Sequence, residues 1–245
     1  MHRPRFFTAE TLRSGQRLML EKEVSRHISK ALRMRIGERL YLFDGSGVEA
    51  RADIVSIDRQ GVSVDIGDTH FVDRESPLAI TLAVALSRGD RMDTIMQKST
   101  ELGVTAIWPF VSERTGVKLD GERLLRKQEH WQKIAISACE QCGRNRIPKL
   151  SPVMSYENLL ETAKVSESSL RLLLHPEGKA KTLPEVCESL LLMVGPEGGF
   201  TDGEVVAATY AGFKPFLLGP RILRAETAPL TAIAVAQAEW GDLTV

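Results

Sequence analysis

The sequence predicts an α/β protein with a small N-terminal β domain ahead of a larger α/β domain. Three observations carry this reading. From residue 78 onward, short apolar runs alternate with helical stretches, the rhythm of a largely parallel sheet covered by helices. Between residues 39 and 72 the period is two instead, punctuated by glycine-bearing turns, as in half-buried antiparallel strands. Two of the late apolar runs each feed a glycine-bearing loop, and open α/β sheets bind ligands outside the carboxyl ends of their strands.

A first helix is expected around Val24, Ile28, Ala31 and Leu32, which share one face. Strands over 39–43, 48–57 and 62–72 follow, separated by Asp44-Gly45-Ser46-Gly47 and Asp58-Arg59-Gln60-Gly61. Val62, Val64 and Ile66 alternate most clearly, and together these elements predict a small β-barrel. The acidic, Ser-Pro-bearing link Val72-Asp73-Arg74-Glu75-Ser76-Pro77 places the domain boundary between 1–72 and 73–245.

In the second domain, strands are expected over 79–86, 104–110, 170–174, 190–194 and 215–218. Met92, Ile95, Met96, Ser99 and Leu102 form a helical stripe closed by Gly103, and Leu124, Trp131, Ile134, Ala138 and Cys142 form another. Thr201-Asp202-Gly203-Glu204 has the spacing of a capping box, so a helix starts directly behind the loop at 195–200. The last helix, 228–240, is apolar around most of its circumference, which predicts burial in the core or against a second copy of the chain.

Formal net charge is zero, with 32 basic and 32 acidic residues, which excludes a protein coated in positive potential. The distribution is uneven. Residues 1–39 hold ten Lys or Arg against four Glu, a bias compatible with a nucleic-acid footprint or an ordinary solvated face. No apolar run reaches the roughly 18 residues of a membrane span, and the N-terminus lacks the apolar stretch of a secretory signal, so a cytoplasmic location is expected. Three cysteines give no disulfide framework. Cys139 and Cys142 make a C-x-x-C, but a zinc site wants further ligands, for which only Cys187 and His175 stand as candidates; small residues on a helix face are the expected reading, and no metal.

The two loops concentrate the chemistry. Gly195-Pro196-Glu197-Gly198-Gly199-Phe200 is neither a Walker loop nor a G-x-G-x-x-G fingerprint, which argues against a triphosphate or NAD. Gly219-Pro220-Arg221-Ile222-Leu223-Arg224-Ala225-Glu226-Thr227 crowds two arginines and a glutamate into six residues, as a substrate-facing segment or an internal salt-bridge network would.

With these loops, the sequence resembles the 16S ribosomal RNA uridine-N3 methyltransferases of the knotted SPOUT superfamily. The resemblance runs over essentially the whole chain. It includes Arg3-Pro4-Arg5-Phe6-Phe7, His27 with Leu32-Arg33 and Gly37, Asp44-Gly45, Lys98 with Glu101-Leu102-Gly103-Val104, and Glu140-Gln141 with Arg144 and Pro148. It is strongest at residues 195–199 and at Leu218-Gly219, Arg221-Ile222-Leu223-Arg224 and Glu226-Thr227-Ala228. It implies a PUA-like RNA-binding barrel, a catalytic domain threaded as a trefoil knot, a homodimer, S-adenosylmethionine as methyl donor, and one uracil N3 of 16S rRNA in the small ribosomal subunit as target. Composition and periodicity do not imply a knot, which general topology rules make rare.

The same resemblance implies that Leu174, His175, Gly195, Pro196, Glu197, Gly198, Gly199, Leu218, Gly219, Leu223 and Thr227 hold the cofactor, mostly through backbone groups. Because N3 of neutral uracil carries a proton, Arg221 or Arg224 is expected to stabilise negative charge on the ring, with Glu197 or Glu226 as proton acceptor. Arg3, Arg5, Arg33 and Arg35 are the expected RNA contacts, while Phe6 and Phe7 read either as stacking or as core residues. The rival readings are a non-catalytic RNA-binding assembly factor and a superfamily enzyme acting on transfer RNA or a ribose 2′-hydroxyl.

Overall fold

The computed structural model describes residues 4–116, 121–178 and 183–243. The chain forms two compact units: Met1–Glu75 with Cys139–Ile147, and Ser76–Ala138 with Pro148–Val245.

The first unit contains β1 (Arg5–Phe7), β2 (Arg17–Met19), α1 (Lys22–Arg26) running into a π turn at His27–Ala31, β3 (Arg39–Phe43), β4 (Val48–Ile57) and β5 (Val62–Phe71). The sheet order is β1-β3-β4-β5-β2; β1 pairs β3 in parallel and the other ladders are antiparallel. Phe6 of β1 and Leu18 of β2 share one core with Leu40, Leu42, Ile54, Val64 and Ile66 of the inner strands. Residues from both ends of the sheet meet in one cluster, so the sheet curls on itself as the barrel reading requires. Phe6 is a core residue, and Phe7 packs on Phe43 with ring centroids 5.7 Å apart. The two three-residue strands and the segment Cys139–Ile147 were not foreseen from the sequence. That segment is bound in: Asn145 Nδ2 donates to Glu49 Oε2 and to the Val72 carbonyl, both at 3.1 Å, and Glu140 accepts the Phe7 N–H at 3.1 Å.

The second unit contains β6 (Ala79–Ala85), α2 (Arg91–Glu101), β7 (Ala106–Val111), α3 (Gly121–Cys142, whose last turn belongs to the first unit), β8 (Lys149–Leu150), β9 (Met154–Ser155), α4 (Tyr156–Val165), β10 (Leu170–Leu174), β11 (Ser189–Val194), α5 (Asp202–Tyr210), β12 (Lys214–Phe216) and α6 (Thr227–Trp240). Every pairing in its sheet is parallel, in the order β12-β10-β11-β6-β7-β8 with β9 also on β7. Successive side chains of β11 serve opposite faces. Leu190, Leu192 and Val194 enter one core with α2 and α6, while Leu191 and Met193 enter another with α4 and α5. This explains the unbroken apolar runs of the sequence.

The capping box forms as expected: Thr201 Oγ1 accepts the Glu204 N–H while Glu204 accepts the Thr201 N–H at 2.8 Å. On α6, Ala232, Ile233, Ala236 and Gln237 are buried but Val235 is 42% exposed, so the helix is not covered all round. Among the described residues no helix is long and apolar enough to cross a membrane, and no group of three His, Cys, Asp or Glu is placed to hold a metal. Cys139 is buried, and burial pushes its thiol up to about 12.

Candidate functional site

The strand order reverses between β6 and β11. From β6 the chain builds outward through β7 and β8, while β11, β10 and β12 lie on the other side. Such a switch point opens a crevice at the carboxyl strand ends. Here the loop leaving β6 carries Arg88 and leads to Arg91 at the start of α2, and the loop leaving β11 carries Glu197.

Three loops leave neighbouring carboxyl ends, because β10 lies between β11 and β12. The loop after β10 packs hard against the end of β12. His175 N–H donates to the Phe216 carbonyl at 3.1 Å, and a Cβ on Gly178 would lie 2.6–2.8 Å from the backbone of Phe216 and Leu217. The His175 ring makes a local bond, Nδ1 accepting the Glu177 N–H. In the loop after β11, a Cβ on Gly195 would meet the Phe200 ring at 2.8 Å, while Gly199 turns the chain at φ +68°, with its N–H on the Pro196 carbonyl. After β12, Leu218, Gly219 and Leu223 are half-buried, Thr227 is exposed, and the Arg224 carbonyl accepts the N–H groups of Thr227 and Ala228 to start α6.

Beside these loops lies a cleft of about 740 Å³ lined by Arg88, Arg91, Arg114, Glu197, Gly198 and Glu226 among others. Arg91 stands between the two carboxylates: its Nη1 donates to Glu197 Oε1 at 2.5 Å, and its Nε is 3.5 Å from Glu226 Oε2. A cation in the first turn of a helix opposes the helix dipole, so Arg91 holds an electrostatically costly place that two carboxylates offset. Arg88 gives its backbone N–H to Glu197 and its Nε to the Gly116 carbonyl; Arg114 donates to the carbonyls of Gly198 and Phe200. Burial pushes the Glu197 carboxyl up, but hydrogen bonds from its own backbone, Arg91 and Arg88 outweigh this and hold it below the usual range.

The structure thus brings Glu197 and Glu226 together and adds Arg88, Arg91 and Arg114, which the sequence reading did not single out. Arg221 and Arg224 are exposed and do not line the cleft.

Residues 74–237 match the RNA methyltransferase domain family and residues 20–67 the RNA methyltransferase PUA domain. Over 98% of both chains the sequence is 34% identical to the ribosomal RNA small subunit methyltransferase E of Buchnera aphidicola subsp. Schizaphis graminum; the Bacillus subtilis protein of that name is 33% identical over 93% of this chain and 92% of its own. The chain belongs to the ribosomal RNA small subunit methyltransferase E family. It is, by that membership, an RNA methyltransferase. Its fold matches a Legionella pneumophila methyltransferase in complex with bound SAM (42% identity, TM-score 0.94, covering 99% of this chain and all of that one). It also matches a Neisseria gonorrhoeae methyltransferase E bound to S-adenosyl methionine (42%, TM-score 0.91, the same coverage).

The N-terminal basic residues divide sharply. Arg3 lies outside the described residues. Arg33 and Arg35 are exposed, and Arg33 is the one non-glycine residue with left-handed backbone among those described, at φ +53°. Arg5 is a correction: its side chain is only 9% exposed, pairs with Glu49 at 2.7 Å and donates to Asn145 at 2.6 Å, so its charge is spent inside the unit and presents no face to RNA.

Proposed function

We propose that this chain transfers a methyl group from S-adenosylmethionine to N3 of one uracil in 16S ribosomal RNA of the small subunit, as a cytoplasmic homodimer. The observation that carries the reading is the convergence of three strand-end loops beside a cleft holding both carboxylates. The residues fit the cofactor. Gly178 lets its loop close to backbone distance, and Gly195 admits the Phe200 ring against the strand end, which leaves amides and carbonyls to line a nucleoside site. In this reading Leu174, His175, Gly195, Pro196, Glu197, Gly198, Gly199, Leu218, Gly219, Leu223 and Thr227 border the cofactor. Bound there, it supplies an activated methyl on a cationic sulfur.

The protein's own contribution is position and charge. The target uracil must leave any pairing to expose N3, and the open cleft has room for a base. Arg88 and Arg114 edge that space and stabilise charge on the ring oxygens. Arg33, Arg35, Arg221 and Arg224 are exposed and are assigned to RNA phosphates. The dimer is supported by Val235, exposed on the largely apolar α6. The trefoil threading belongs to the same proposal; α6 packing back on α2, β6 and β11 after β12 has joined the sheet edge supports it.

The test is incubation of the purified protein with labelled S-adenosylmethionine and small subunits lacking the modification, followed by mass-spectrometric mapping. A single methyl on one uracil N3 is expected. Methyl on a ribose or on transfer RNA alone replaces the target, and failure to bind the cofactor replaces the reading with that of an assembly factor.

A further inference from the structure

Glu197 and Glu226 line one cleft and share one arginine, yet their surroundings differ. Glu197 is hydrogen-bonded: Oε1 accepts both the Arg91 guanidinium and the Arg88 backbone N–H. Glu226 is not. Neither of its oxygens accepts a hydrogen bond among the described residues, and Oε2, shut off from solvent, is only ion-paired to Arg91 at 3.5 Å. It sits at the N-cap of α6 without capping it, a place where an acidic side chain would ordinarily take a backbone N–H. A partly buried carboxylate that the fold positions but does not hydrogen-bond has acceptor capacity left for a ligand.

Resting on the uracil-N3 reading above, we propose that Glu226 is the catalytic proton acceptor, and that Arg91 is a positioning residue that fixes Glu197 as an anchor for the loop after β11 while aligning Glu226. Uracil N3 gives its proton to the Glu226 oxygen that Arg91 does not face. Because that proton and the incoming methyl occupy the same in-plane position on N3, proton removal comes first, and Arg88 and Arg114 balance the anionic ring. N3 then gives its electron pair to the methyl carbon as the carbon–sulfur bond breaks, with that bond's pair left on sulfur. The proton leaves Glu226 to solvent, which restores the carboxylate. Two carboxylates with different surroundings thereby take different roles. The charged groups facing them are Arg88, Asp90, Arg91 and Arg114, all from the cleft wall.

The full-length enzyme and its Glu226→Gln, Glu197→Gln and Arg91→Lys variants would be compared on small subunits, with cofactor binding followed by calorimetry. Glu226→Gln is expected to lose about 100-fold or more in single-turnover rate, the usual worth of a general base, with cofactor affinity unchanged. Its rate should recover at high pH and on RNA carrying 5-fluorouracil at the target, whose N3 proton is more acidic. Glu197→Gln should weaken cofactor binding and gain nothing from 5-fluorouracil. Arg91→Lys should lower the single-turnover rate by a smaller factor, recovered in part on the 5-fluorouracil RNA, because lysine keeps the charge but not the planar fork that reaches both carboxylates. A Glu226→Gln enzyme that keeps its rate, loses only cofactor affinity, or is not rescued by 5-fluorouracil overturns the assignment. Wild-type methylation elsewhere than N3 overturns the underlying reading instead, and the wild-type product map separates the two.

Discussion

Glu49 accepts hydrogen bonds from Arg5 at 2.7 Å and Arg74 at 3.0 Å through one oxygen, which makes it the electrostatic centre of the N-terminal unit. Burial alone would raise its carboxyl; Arg74, Arg5 and Asn145 outweigh burial and hold it at about 2 against an ordinary 4.5. A folded value below the unfolded one stabilises the unit fully above about pH 4.5, and that stability is lost as the pH falls toward about 2. Glu49→Gln should flatten this acid dependence and leave the Arg5 charge uncompensated, at a cost of about 3 kcal/mol. Acid titration followed by circular dichroism checks both.

Arg5→Met should lower thermal stability while leaving RNA affinity, measured on the fraction that remains folded, within a small factor of the wild type. A steep loss of affinity in a stably folded Arg5→Met protein would restore this side chain to the RNA surface.

Arg33 offers the opposite test. Its left-handed backbone costs about 1 kcal/mol that glycine would not incur. Arg33→Gly should therefore raise the melting temperature slightly and weaken RNA binding, with a shallower salt dependence by about one phosphate contact. Filter binding across a salt series, beside calorimetric melting, reads both.

Gly178→Ala would push a Cβ into the backbone of Phe216 and Leu217, which cannot yield as a flexible side chain does. The loop after β10 must shift, and cofactor affinity should fall by about tenfold, equivalent to about 1.4 kcal/mol. Isothermal titration decides it.

Gln237 is wholly buried on α6; it accepts from Ser76 Oγ at 2.6 Å and donates to the Leu102 carbonyl at 2.8 Å. Gln237→Leu strands both partners, for about 2 kcal/mol. A melting temperature within a degree of wild type would contradict this.

The alternation of Val62, Val64 and Ile66, the stripe from Met92 to Leu102 and the capping box at Thr201 each encode structure within a dozen residues, and each element formed where periodicity placed it. Glu197 and Glu226 were legible because charge in a glycine-bearing loop at a strand end is conspicuous. Arg91 was not, since it reads as an ordinary exposed residue opening a helix and meets Glu197 only across 106 positions of chain. The same holds for β1 and β2, three residues each, too short to show a period. Arg5 misled for a related reason: the basic count of a segment does not record which charge a distant Glu49 will neutralise.

The stretch Cys139–Ile147, counted with the N-terminal unit and carrying Asn145 to Glu49, has a consequence for biosynthesis. During translation the first module cannot complete its native contacts when residue 75 emerges, because the chain that finishes it is synthesised some seventy residues later. The order of synthesis and the order of folding are therefore interleaved, and a fragment cut at residue 75 should behave as an unfinished nascent chain.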